Sequence, residues 1–153
     1  MVAPQLKALC VYNSESGFAL ASPADAAAIA TIANTVKNST VCSLARCVEK
    51  DIDVAYSSVK DAVDPRIHVF LATSPVHMEY KLKMKPEEVL ESVAHHVAYT
   101  TKLLSNVEFS AEDATRSDWD FLCRVVDVAI KNGATTINIP DTTGYLTPDE
   151  YAN

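Results

Sequence analysis

Four short stretches of the chain are apolar and rich in β-branched or aromatic residues: TVCSLA (40–45), IHVFLAT (67–73), NVEFS (106–110) and TTINIP (135–140). They do not alternate strictly, and longer stretches with helical periodicity separate them. Strands of that kind belong to a parallel sheet covered by helices. The order reads (helix) β α β α β α β, with right-handed crossovers as the default.

The helices have legible starts. In SPAD (22–25), Ser22 caps, Pro23 takes the first helical position and Asp25 the third. Ile29, Ile32, Ala33 and Val36 then share one face. SDWD (117–120) repeats the device with Ser117 as cap and Asp120 three residues on. Leu122, Val125, Val126 and Ala129 follow as the buried face, and Gly133 as the C′ residue. A third helix is expected from about Pro86 to Leu104, with Leu90, Val93, Val97 and Leu104 inward. A fourth is expected from about Lys50 to Val63. TPDE (147–150) is one more helix start, with only three residues behind it. One turn is not stable alone, so the expectation is a chain that stops inside a larger repeating β/α pattern.

Composition narrows the class. The chain has 153 residues, 48% apolar and 22% charged, enough for one domain with a core. Its net charge of −7, without a basic patch, argues against nucleic acid as the main partner. No run approaches the roughly 18 apolar residues of a membrane span. The N-terminus is weak as a secretory signal and poor in Arg for a transit peptide. Cys10, Cys42, Cys47 and Cys123 form no C-x-x-C pair, and Cys42 and Cys123 sit in apolar runs. They read as buried reduced thiols of a cytosol-like compartment. The three glycines, Gly17, Gly133 and Gly144, cannot build a phosphate loop.

Candidate chemistry lies at the strand ends, where parallel α/β folds bind ligands. The first run leads into Leu44 and Arg46. The second carries His68 and ends in Thr73-Ser74. The third carries Glu108 and Ser110 and leads into Glu112, and the fourth ends in Asp141-Thr142. Alternation puts Glu108 and Ser110 on one face, with Glu112 continuing it. An inward carboxylate needs a partner or a ligand, which suits an active-site rim. Equally, Glu112 and Asp113 are solvated loop residues and Glu108 pairs with a lysine; the pattern does not choose. His68 is either a satisfied core histidine or a site residue. His95 and His96, about 100° apart on a helix, cannot face one ligand together. His77, Lys81 and Lys83 fall in an expected loop, SPVHMEYKLKM.

CSLARCVEKDID, RIHVFLATSPVHMEYKLKM, VEFSAEDATRSDWDFL and GATTINIPDTTGYLTPDEYA closely resemble the 2-isopropylmalate synthase family, within the wider isopropylmalate/homocitrate synthase group. The resemblance runs from about Gly17 to the C-terminus. It implies a (β/α)₈ TIM barrel, with a divalent metal (Mg or Mn) at its mouth in the complete enzyme. It also implies an acyltransferase of leucine biosynthesis that condenses acetyl-CoA with 2-oxoisovalerate. The metal would polarise the ketone, and an acid/base group would form the enolate. By resemblance Glu112 is the active-site glutamate. Ser110 and His68 line the oxo acid, Thr142 bonds its carboxylate, and Leu44 gauges the branched side chain. Arg46 matches a substrate-site motif without a defined role. Bacterial cytoplasm is the implied compartment, or the plastid in a plant or alga.

The sequence also departs from the family. A full barrel takes about 250 residues, and the four runs resemble only its third to sixth strands. The Arg-Asp-Gly-x-Gln motif that ends the family's first strand has no counterpart, nor has the His-x-His metal pair of the seventh. Residues 1–16 do not resemble the family and stand as an atypical N-terminal segment before a partial barrel at 17–153. With no other ligand cluster visible, no catalytic metal and no activity are expected of this chain alone. Unpaired edges then imply self-association or pairing with a missing barrel half. The readings left open are a fragment of the enzyme, a non-catalytic half-barrel pairing with itself or with full-length subunits, and a metal-free oxo-acid binder.

Overall fold

A computed structural model describes residues 2, 3, 5 and 11–152; Cys10 lies outside the described residues. Five strands form one parallel sheet in chain order: β1 Asn13–Phe18, β2 Thr40–Arg46, β3 Pro65–Ala72, β4 Val107–Glu112 and β5 Thr136–Asn138. Helices α1 Pro23–Thr35, α2 Glu49–Val59, α3 Pro86–Thr101 and α4 Trp119–Lys131 form the crossovers, and the short α5 is Pro148–Ala152.

Four strands match the expected runs. The fifth, β1, crosses the boundary drawn at residue 16, and the pattern missed it. NSESGF has polar residues where a strand signal needs branched apolar ones. It joins the sheet as an edge, beside β2 alone among the described residues. The pairing shifts between Glu15 and Phe18. Gly17, at φ +134°, absorbs that irregularity.

Register explains where the core lies. Leu44 pairs with His68, His68 with Glu108, and Phe70 with Ser110. The odd-numbered residues between them (Val41, Ala45, Ile67, Val69, Val107, Phe109) are fully buried under the helices. Ile29, Ile52, Val93, Val97 and Val125 meet them from α1 to α4. The even-numbered residues form the opposite face, and most are polar.

Capping follows the sequence at α1, where Ser22 Oγ accepts from the Asp25 backbone N–H at 3.1 Å. At α4 it does not. The cap is Asp118, whose carboxylate accepts from Phe121 N–H at 2.9 Å. Ser117 instead bonds the Thr73 hydroxyl at 2.7 Å. A second difference is SPVHMEYKLKM, expected as a loop, which coils into a π-helical turn over His77–Leu82. Lys83 closes it in the left-handed region, at φ +54°. Cys42 and Cys47 are buried, as expected, but Cys123 is exposed on α4. Among the described residues no helix is long and apolar enough to cross a membrane.

Gly133 follows α4 at φ +103°, and a Cβ there would stand 2.8 Å from the Thr101 methyl. Gly133→Ala is expected to cost about 1–3 kcal/mol, read from urea midpoints. Adding Thr101→Ser, which removes that methyl, should recover part of the loss.

Candidate functional site

The even-numbered face carries the chemistry because the sheet presents it away from all four long helices. A cleft of about 260 Å³ opens over it, lined by Glu15, Leu44, His68, Phe70, Ser110, Glu112, Asn138, Pro140 and Thr142. Five of the six residues singled out from the sequence therefore share one cleft. Arg46 is the exception. Its guanidinium grips Asp51 at 2.5 and 3.2 Å, joining the end of β2 to the first turn of α2. It also lies 5.5 Å above the Phe18 ring.

At the floor, His68 Nε2 is hydrogen-bonded to Ser110 Oγ at 2.5 Å. Glu108 Oε1 lies 3.8 Å from the same nitrogen. Glu108 pairs with an arginine rather than a lysine: Arg66 donates to it at 3.1 Å and to Asn106 at 2.8 Å. On the other side of the ring, Nδ1 stands 3.3 Å from Glu15 Oε1. Nδ1 is buried, and Glu15 is the group that stands beside it. The imidazole holds the Glu15 carboxyl below its usual range. Burial, and then the charges of Glu15 and Glu108, push the Cys42 thiol well up.

At the rim, Lys81 from the π-turn donates to both Glu112 oxygens, at 2.7 and 2.8 Å. The carboxylates at the end of β4 thus divide. Glu112 faces the cleft, whereas Asp113 turns away at φ +62° and is fully buried. Asp113 accepts from Arg116 at 2.8 and 2.7 Å and contacts His77 at 3.0 Å. Its backbone N–H donates to Thr142 Oγ1 at 2.9 Å, pinning the loop after β5 to the end of β4. Asp141 accepts from Thr115 Oγ1 and from Leu146 N–H. His95 stays at the surface, 2.9 Å from Glu49.

The divalent metal implied by the resemblance would sit at this mouth, and the residues there do not fit it. Glu112, Asp113 and Asp141 are each already engaged by cations or N–H and O–H donors. Among the described residues one group of three metal-type donors converges: Cys42, His68 and Glu108. It lies on the strand bodies, below the mouth, and corrects the sequence reading that found no ligand cluster. Spacing hid it, because the three donors come from three strands. Glu15 and Asn138 were missed for related reasons: one lies in the unrecognised strand, the other inside a run read only as apolar.

Burial pushes the Asp113 carboxyl up, but Arg116, Ser74 and His77 together outweigh it and hold the group below its ordinary value. A carboxyl lowered on folding adds stability above its unfolded value of about 3.9, lost as pH falls through the folded one. Asp113→Asn should therefore cost about 2 kcal/mol at neutral pH. Urea midpoints should show that gap constant down to about pH 5 and closing below about pH 4.

A profile of the HMGL-like family matches residues 1–153. Similar curated proteins include 2-isopropylmalate synthases of Oceanobacillus iheyensis (50% identical over 150 residues), Brevibacillus brevis (52% over 152) and Dechloromonas aromatica (54% over 151). These alignments take 98–99% of this chain but only 29–30% of each relative.

Proposed function

The chain belongs to the HMGL-like family, and from that premise we propose that it is a segment of the catalytic barrel of a 2-isopropylmalate synthase. The observation that carries this reading is the convergence of Leu44, His68, Ser110, Glu112 and Thr142 on one cleft. If the four expected runs are the third to sixth barrel strands, β1 is the second.

In the complete protein the substrates are acetyl-CoA and 2-oxoisovalerate. Glu112 is the acid/base group for the acetyl methyl, fixed in place by Lys81. Thr142 has given one lone pair to the Asp113 N–H, which leaves its O–H free to donate to the oxo-acid carboxylate. Leu44, Phe70 and Pro140 supply the apolar wall for the branched side chain. His68 and Ser110, bonded to each other, border the oxo acid. Arg46 holds α2 in place rather than touching substrate. The donors for the family's metal belong to other parts of the complete protein, so the 153 residues alone are inactive.

A second reading, a non-catalytic half-barrel that pairs with itself or with full-length subunits, is favoured by one feature. Trp119 and Ile130 on α4 are 70% and 54% exposed. With Leu122, Val126 and Ile139 they line an open apolar groove.

Residues 13–152 grafted in place of the aligned segment of the Brevibacillus brevis synthase should support metal-dependent release of CoA from acetyl-CoA and 2-oxoisovalerate. Glu112→Gln in that chimera should lower kcat about 10²–10⁴-fold, and the isolated chain should show no turnover. A folded but inactive chimera, or an unaffected Glu112→Gln variant, would overturn the synthase reading.

A further inference from the structure

Glu15 lies on β1, the strand too polar to show in the sequence pattern. It pairs in register with Cys42 and lines the cleft. Its carboxylate reaches past β2 to His68 on β3, with Oε1 3.3 Å from Nδ1. Neighbouring strands stand about 4.8 Å apart, so the contact bridges roughly 10 Å and takes a side chain as long as glutamate.

We infer that Glu15 is a positioning residue of the cleft: it holds the His68 ring proton on Nδ1, so that Nε2 accepts from the Ser110 hydroxyl and Ser110 turns a lone pair rather than a proton toward the substrate.

Three observations carry it. First, His68 Nδ1 is buried, and Glu15 is the group beside it. An ionised carboxylate can only accept, and the imidazole holds the Glu15 carboxyl below its ordinary range. A bare Nδ1 would set one lone pair against another, whereas Nδ1–H gives both atoms a partner.

Second, the other nitrogen is already served. Ser110 Oγ lies 2.5 Å from Nε2. Glu108 is on that side too, but at 3.8 Å, and it takes its hydrogen bond from Arg66. With Nδ1–H turned to Glu15, the donor at Nε2 is the Ser110 hydroxyl.

Third, Glu15, His68 and Ser110 share the cleft with Leu44, Phe70 and Pro140. While the Ser110 proton is committed to Nε2, no loose O–H from that residue faces the apolar wall. Without Glu15 the ring proton moves to Nε2 and Ser110 becomes the acceptor. Its own proton then points into space meant for an alkyl branch, which cannot accept it. This consequence for the substrate rests on the synthase reading; the proton order does not.

Nitrogen-15 spectra of the imidazole rings in the isolated chain, assigned through the backbone, read the proton order without any activity. At about pH 8, His68 should carry one ring proton, on Nδ1, with Nε2 bare. Glu15→Gln, whose amide oxygen still accepts, should keep that order. Glu15→Met, of similar length, should move the proton to Nε2. In the chimera with the Brevibacillus brevis synthase, Glu15→Met should raise KM for 2-oxoisovalerate at least about fivefold with kcat little changed, and Glu15→Gln should restore it. A bare Nδ1 or a doubly protonated ring in the wild-type chain would overturn the inference, and that spectrum decides alone if Glu15→Met fails to fold. So would a proton that stays on Nδ1 in Glu15→Met, or an unmoved KM in the active chimera. A folded chimera that is inactive before any change at Glu15 sinks the synthase reading instead, and the spectra still decide the proton order.

Discussion

The two-residue period of a parallel strand is the constraint from which the rest follows. Each strand here must satisfy helices on one side and an open, mostly polar face on the other. Val69 and Phe109 can be buried only if His68, Ser110 and Glu108 are presented to the opposite face. A one-residue slip of β3 or β4 would drive histidine and glutamate under α3 and α4, at a cost that nothing there could offset. The register is therefore pinned from both sides. Apolar packing pins one. The chain of ionic and polar contacts from Glu15 through His68 to Glu108, Arg66 and Asn106 pins the other.

Above that floor, the strand ends are tied to one another rather than left as independent loops. Asp113 is the knot. Its carboxylate holds Arg116 and His77, and its backbone N–H holds Thr142. Because these contacts cross from β4 to the π-turn and to the loop after β5, they fix the rim on which Glu112 stands. The ion pair of Glu112 with Lys81 closes the same rim from the side of β3. The resulting cleft has an apolar wall and a polar floor.

Much of this was legible in the sequence. Branched and aromatic residues marked β2 to β5, and Ser22-Pro23-Asp25 marked α1, because those signals are local. The shared face of Glu108, Ser110 and Glu112 followed from alternation alone. Illegible features depended on distant partners. β1 is too polar to announce itself, and becomes a strand because β2 offers it an edge. Ser117 reads as a cap, but Thr73 claims its hydroxyl and the cap passes to Asp118. Arg46 reads as part of a substrate-site motif, and its grip on Asp51 across the start of α2 is not visible from the motif. Cys42, His68 and Glu108 are separated by 26 and 40 positions and meet only through parallel register.

The sheet has open edges at β1 and β5 among the described residues, a charged face on one side and an exposed apolar groove on α4. A barrel segment carries such features because other strands and helices cover them, whereas a self-sufficient open domain has to blunt its edges. Size-exclusion chromatography with light scattering, with circular dichroism on the same peak, tests this most directly. The account predicts α/β secondary structure in a chain that self-associates, with mass rising with concentration. A discrete, folded monomer at every concentration would contradict it, and would mean that the five strands need no cover.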